Sequence, residues 1–93
     1  MKIEQTSSFK KSLKKLHPKQ KKSLDEAIKS VMENPQCGEE KKGDLAGVRV
    51  YKFKMVNCLN LLAYTYDDSY ELITLLKLSS HENYYRDLKN EMK

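Results

Sequence analysis

The stretch Val48-Arg49-Val50-Tyr51-Lys52-Phe53-Lys54-Met55 is where the chain turns from a helical period to a period of two. Tyr51, Phe53 and Met55 fall on one side of an extended strand, and Val50, Lys52 and Lys54 fall on the other. Two further strands follow, Leu59 to Tyr66 and Tyr70 to Leu78, joined by a tight turn at Asp67-Asp68-Ser69. Both are apolar on one parity and mixed on the other, as for a sheet that helices cover on one side. Beyond them, Ser79 and Glu82 are spaced as a capping box ahead of Tyr85, Leu88 and Met92, which predicts a C-terminal helix.

Upstream of this stretch the apolar spacing is helical. Leu24, Ala27, Ile28, Val31 and Met32 form one stripe, ended by Asn34-Pro35. Residues 35–47 are a charged loop with Gly43 and Gly47 near its end. Phe9, Leu13 and Leu16 form an earlier stripe, with Ser7 or Ser8 as its N-cap. His17-Pro18 separates the two, because the residue before a proline is pushed out of helical geometry while the proline itself suits a first helical turn. The helices read as an antiparallel pair, and residues 2–5 alternate as a short edge strand. The order β-α-α-β-β-β-α predicts an α+β fold over residues 1–93, one domain. Its N-terminal helical hairpin packs on a small antiparallel β-sheet with a C-terminal helix.

Ninety-three residues are too few to enclose a deep pocket, so a surface concavity is expected. The net charge of +5 and a pI near 9.2 point to RNA, DNA or an acidic protein as partner. Cys37 and Cys58 lie far apart with no Cys or His cluster around them, so a reduced pair is expected, and no metal or other cofactor. Met1-Lys2-Ile3-Glu4 lacks the apolar core of a signal peptide, and no run approaches the roughly 18 apolar residues of a membrane span. A soluble cytoplasmic protein is the expectation.

Four groups of residues can carry chemistry or hold a ligand. Seven lysines occur between Lys10 and Lys22, Lys10, Lys11, Lys14 and Lys15 among them, with no acid in that interval. They read either as the solvated face of two helices or as a footprint on RNA, each neutralising a phosphate. Lys52 and Lys54 project from the side opposite the core, roughly 7 Å apart along the strand. They read as an ordinary strand exterior or as a pair of cations that steadies transition-state charge on a phosphodiester. His81 stands at a predicted helix start, where free N–H groups favour a phosphate. It is either an exposed first-turn residue or a group that exchanges protons near neutral pH, as attack by a 2′-OH requires. Of Tyr84 and Tyr85, one packs on the sheet and the other is placed to stack on a base.

These motifs, in this order, resemble the RelE/ParE superfamily of toxins from bacterial toxin–antitoxin pairs. The resemblance covers nearly the whole chain. It rests on the helical hairpin, Asp44-Leu45-Ala46-Gly47, Tyr51-Lys52-Phe53-Lys54, Leu61-Leu62-Ala63-Tyr64 and Leu78-Ser79-Ser80-His81-Glu82. RelE-like members cut mRNA on the ribosome without metal, whereas ParE-like members poison DNA gyrase. Tyr-Lys-Phe-Lys resembles the RelE pattern, which makes Lys52 and Lys54 candidates for proton transfer and phosphate stabilisation. His81 with Tyr85 four residues on resembles the YafQ-like branch, which implies a general acid or base and an aromatic that orients the nucleotide.

The chain departs from RelE where that family keeps arginine. Leu61, beside Asn60, holds one such place and His81 another, while Asp87 stands where a tyrosine is usual. Arg49 and Arg86 are then the candidates to replace the missing cation, with Asn60 and Tyr84 as further RNA contacts. The resemblance implies a cognate antitoxin, mRNA and the ribosome as partners, and operator DNA through the antitoxin complex. It leaves two alternatives: a gyrase inhibitor, or a degenerate toxin that acts only within its antitoxin complex.

Overall fold

The computed structural model describes residues 2–56 and 58–80. The predicted C-terminal helix, with His81, Glu82, Tyr84, Tyr85, Arg86, Leu88 and Met92, lies outside the described residues. A short strand β1 (Lys2–Gln5) leads into α1 (Ser7–Lys14) and α2 (Pro18–Glu33). Then come β2 (Glu39–Glu40), a 3-10 turn at Gly43–Leu45, β3 (Val48–Met55), β4 (Cys58–Asp67) and β5 (Leu72–Ser80). The sheet order is β1-β5-β4-β3-β2. It is antiparallel from β2 to β5, while β1 runs parallel to β5 at the edge.

Local chemistry accounts for the helix ends. Thr6, and not Ser7 or Ser8, caps α1: its Oγ1 accepts from Phe9 N–H at 3.2 Å and donates to Leu76 O at 2.6 Å. One side chain thus starts the helix and ties it to β5. His17 opens α2, and its N–H donates to Gln20 Oε1 at 2.9 Å, while Pro18 occupies the first turn. α1 packs against β5 and α2 against β3. Phe9, Leu24 and Val31 from the helices join Met55, Leu62, Tyr64, Ile73 and Leu75 in one buried core. Met32, expected within the buried stripe, is exposed instead, one position beyond the face that carries Val31.

Three strand boundaries differ from expectation. Glu39–Glu40 pairs with Arg49 and Val50 as a fifth strand, which no alternation in two residues could announce. Tyr70 belongs to the turn before β5 and is 74% exposed. Asp67 Oδ1 makes that turn by accepting from Ser69 N–H at 3.0 Å and from Tyr70 N–H at 3.4 Å. Ser79 and Ser80 are the last residues of β5, so no helix cap forms at Ser79.

The β3–β4 hairpin closes between Met55 and Cys58, and Val56 adopts φ +48°. A β-branched residue is costly there, since its Cβ crowds the backbone. Val56 is half exposed, so little packing offsets the strain. Replacing it by Asn, which tolerates this region, is expected to stabilise the fold by about 1 kcal/mol. A rise in the urea midpoint at constant m would show it; no rise would mean that the side chain's packing outweighs the strain.

Candidate active site

The two sides of the sheet are unlike. The helices cover the side that carries Tyr51, Phe53, Met55, Leu62 and Tyr64. On the other side Val50, Leu61 and Ala63 are buried, with Val48 and Leu76 packed against them. Lys52 and Lys54 belong to this second side and are exposed. The expected direction of both lysines is the one observed. Lys54 sits at the strand margin and also borders a hollow of about 210 Å³ between α2 and β3.

Register places a third cation on the same side. Val50 stands opposite Ala63, which stands opposite Lys77; Lys52 stands opposite Leu61, which stands opposite Ser79. Simple alternation in β5 would set Lys77 with Ile73 and Leu75 on the helix-covered side. A β-bulge intervenes, because Tyr64 pairs with Leu75 while Ala63 pairs with Lys77, and Leu76 is the extra residue. The bulge shifts the parity, so Leu78 joins the core and Lys77 joins Lys52. Ladder spacings put their Cα atoms roughly 12 Å apart, within the span of two extended lysine side chains. Among the described residues, the strand acids on this side stand at its margins: Glu4 on β1, Glu39 on β2 and Asp67 at the end of β4.

Leu61 is 1% exposed and forms the floor between the lysines. With Val50 and Ala63 it makes a packed apolar surface. Ser79 Oγ is buried beside it with no hydrogen-bond partner among the described residues. Sequence reasoning passed over Lys77 and read Ser79 as a cap. The signal for Lys77 is faint: Leu75-Leu76 breaks the alternation of β5, which is how a bulge shows in sequence.

Arg49 and Asn60 are not part of this surface. Both have the parity of the helix-covered side, opposite Tyr64 and Phe53 respectively. Arg49 Nη1 donates to Gln36 O at 3.3 Å and to Gly38 O at 3.0 Å, and Nη2 lies 3.7 Å from Glu40. It is a strut for the loop before β2. Tyr64 completes that strut, its hydroxyl donating to Pro35 O at 2.7 Å and accepting from Gly38 N–H at 3.0 Å. Burial pushes the Tyr64 phenol up to about 12. A Cβ on Gly38 would stand 2.6 Å from that hydroxyl oxygen, so the close approach requires glycine. Asn60 Nδ2 donates to Cys58 O at 3.2 Å and steadies the hairpin.

Lys10, Lys11, Lys14 and Lys15 are exposed on and just after α1, as are Lys19, Lys21 and Lys22 on α2. They belong to the helical layer, across the sheet from Lys52 and Lys77. The protein therefore carries two basic surfaces on opposite sides. His81, Tyr84, Tyr85 and Arg86 follow directly on β5, outside the described residues. Cys37 and Cys58 are both free and exposed. Among the described residues there is no cluster of metal-ligating side chains and no helix long and apolar enough to cross a membrane.

No curated protein matches the sequence. Solved structures match its fold. One is from the RelBE2 toxin–antitoxin complex of Mycobacterium tuberculosis, with a TM-score of 0.73 at 21% identity over 86% of this chain and 96% of that one. Another is from the intact E. coli RelBE complex, with a TM-score of 0.69 at 15% identity over 84% and 93%. The YoeB/ParE toxin of Agrobacterium tumefaciens gives 0.69 at 18% identity over 87% and 99%. A sequence profile for the ParE-like toxin of type II bacterial toxin–antitoxin systems matches residues 3–89. With that match across nearly its whole length, the chain belongs to the ParE-like toxins of type II toxin–antitoxin systems, within the RelE/ParE superfamily.

Proposed function

We propose that this toxin is an endoribonuclease that cleaves mRNA on the translating ribosome. The observation that carries the reading is the placement of Lys52, Lys54 and Lys77 on the side of the sheet away from α1 and α2. A 2′-oxygen attacks the adjacent phosphorus, the bond to the 5′-oxygen breaks, and a cyclic phosphate remains. One proton leaves the 2′-OH and one arrives at the 5′-oxygen. Lys52 and Lys54 steady the charge that builds on the equatorial oxygens, and Lys77 takes the place of the cation that Leu61 does not supply. His81 serves as the general acid or base, Tyr85 orients the nucleotide, and Tyr84 and Arg86 hold flanking RNA.

Such a sparse site requires its substrate to be aligned for it, and a ribosome-bound message is aligned. The lysines of α1 and α2 supply a second polyanion contact on the far side, suited to ribosomal RNA. A cognate antitoxin is the partner that holds the toxin inactive in the cytoplasm, since two of the matching structures are toxin–antitoxin complexes. The pair binds operator DNA through the antitoxin.

One observation favours a second reading, inhibition of DNA gyrase: the matching profile is that of ParE-like toxins. Induction in cells separates the two. The nuclease stops protein synthesis at once and leaves new mRNA 5′ ends at a fixed place within codons. A gyrase inhibitor leaves mRNA intact and triggers filamentation and DNA-damage signalling, and that pattern would overturn the proposal. Growth unchanged without antitoxin would overturn both and mark a degenerate toxin.

A further inference from the structure

α2 turns its smallest residues towards β3. Ser23, Ala27 and Ser30 recur at i, i+4 and i+7, so they share one face of the helix, and α2 packs against β3. Across from them stand Tyr51 and Phe53, two residues apart on the helix-covered side of the strand. Small side chains facing large ones leave the hollow of about 210 Å³. The two rings lie 6.2 Å apart between centroids and within 19° of parallel, and both are only partly buried. Flat π-surface is thus presented at an opening, where an aromatic ligand can stack.

The polar wall of the hollow is made of acceptors. Ser23 Oγ donates to Lys19 O at 3.4 Å and Ser30 Oγ donates to Glu26 O at 3.2 Å. Their hydrogens are committed to the helix, so each hydroxyl offers its lone pairs to the hollow. Glu26 borders it as well, and among the described residues no cation pairs with its carboxylate. Lys54 is a cation at the rim, and it also belongs to the lysine side of the sheet. A ligand that suits these walls is flat, carries adjacent N–H donors on one edge and has an anion within reach of Lys54. Among nucleobases, guanine meets the donor requirement: its N1–H and 2-amino group form a parallel pair that one carboxylate accepts. Adenine and cytosine set their amino group beside a ring acceptor, and uracil has its N–H between two carbonyls.

We propose that the hollow between α2 and β3 binds a guanine nucleotide, its base on Tyr51 and Phe53, its N1–H and 2-amino group on Glu26, and its phosphate on Lys54. A guanosine within single-stranded RNA and a free guanine nucleotide share this chemistry. Binding stands on the geometry of the hollow. Its consequence for cleavage, a guanosine anchored beside the phosphodiester that the lysines hold, rests on the nuclease reading above.

The test follows amide shifts of the isotope-labelled full chain on addition of GMP, IMP, AMP, CMP or UMP. GMP is expected to shift Ser23, Ser30, Tyr51 and Phe53 with a Kd of about a millimolar. IMP, which lacks only the 2-amino group, is expected to bind roughly tenfold more weakly. Glu26 is exposed, so Glu26→Gln leaves the fold intact and is expected to bring GMP down to the level of IMP. Equal binding of all the nucleotides, or shifts confined to Lys52, Lys77 and the lysines of α1 and α2, would show that phosphate suffices and overturn the proposal. So would no shift at about ten times that concentration. A short 2′-O-methyl RNA with one guanosine, which cannot be cleaved by its own 2′-oxygen, assigns the source. Shifts at the same amides place the guanosine in RNA, and their absence beside binding of GMP assigns the hollow to the free nucleotide. A parallel cleavage assay separates the two layers. A toxin that leaves ribosome-bound mRNA intact sinks the nuclease reading whatever GMP does, while GMP no tighter than IMP sinks the guanine site whatever the RNA does.

Discussion

If the toxin is the proposed nuclease, Lys52→Ala is expected to lower the rate of mRNA cleavage by on the order of 10²- to 10³-fold and to leave the unfolding midpoint where it was. Lys52 is exposed, so its removal opens no cavity. Its place opposite Leu61, at the centre of the lysine side, sets it over the floor where a phosphodiester would lie. Loss there is a loss of charge stabilisation that the ground state does not share, so kcat falls and KM moves little. Lys77→Ala, further from the centre, is expected to cost about tenfold. Leu61→Arg is no remedy: the side chain is 1% exposed within the apolar floor, and a cation there is buried without a partner. Single-turnover cleavage by each variant, beside its urea melt, reads both effects. A Lys52→Ala protein that cuts at the wild-type rate would remove the lysines from the mechanism.

Tyr64 carries the largest stability effect. Its ring is fully buried in the core, and its hydroxyl fastens Pro35 and Gly38. Tyr64→Ala is expected to cost about 3–5 kcal/mol, through the cavity left under α2 and the loss of both bonds. Tyr64→Phe keeps the ring and is expected to cost about 1–3 kcal/mol, because the Gly38 N–H and Pro35 carbonyl lose their partner. The two variants separate packing from hydrogen bonding. Alkali gives a further check. The phenol's folded value of about 12 lies above its ordinary 10.0, so the unfolded chain gives up the proton first. The contribution is fully present below pH 10 and is lost as pH climbs towards 12. Tyr64→Phe is expected to flatten that fall in urea stability; an unchanged alkaline slope would assign it to other groups.

The helices and central strands were legible because each shows one strong period. The stripe Leu24, Ala27, Ile28, Val31 and the alternation Tyr51, Phe53, Met55 leave few other solutions, and Pro18 marks the break between helices. Three features resisted reading for physical reasons. Glu39–Glu40 is a strand only because β3 stands beside it, and a two-residue pair has no period. Thr6 outcompetes Ser7 and Ser8 as a cap because its hydroxyl also reaches Leu76, a contact 70 residues away in sequence. Lys77 changes sides through a bulge, and parity counted straight along β5 gives the wrong answer. Arg49 misled in the opposite direction. A cation on the site strand itself suggests a ligand-binding role, yet its parity and two carbonyl acceptors make it a support for the loop. Lys52 and Lys54 were readable because aromatic neighbours fix their direction.

The most direct measurement of the central claim is the mapping of RNA 5′ ends in a translation reaction assembled from purified components, with the toxin and with its Lys52→Ala form. The account predicts cuts at a fixed place within codons, present only on ribosome-bound message and nearly abolished in the variant. Equal cutting by both proteins, or intact mRNA alongside blocked gyrase supercoiling, would contradict it.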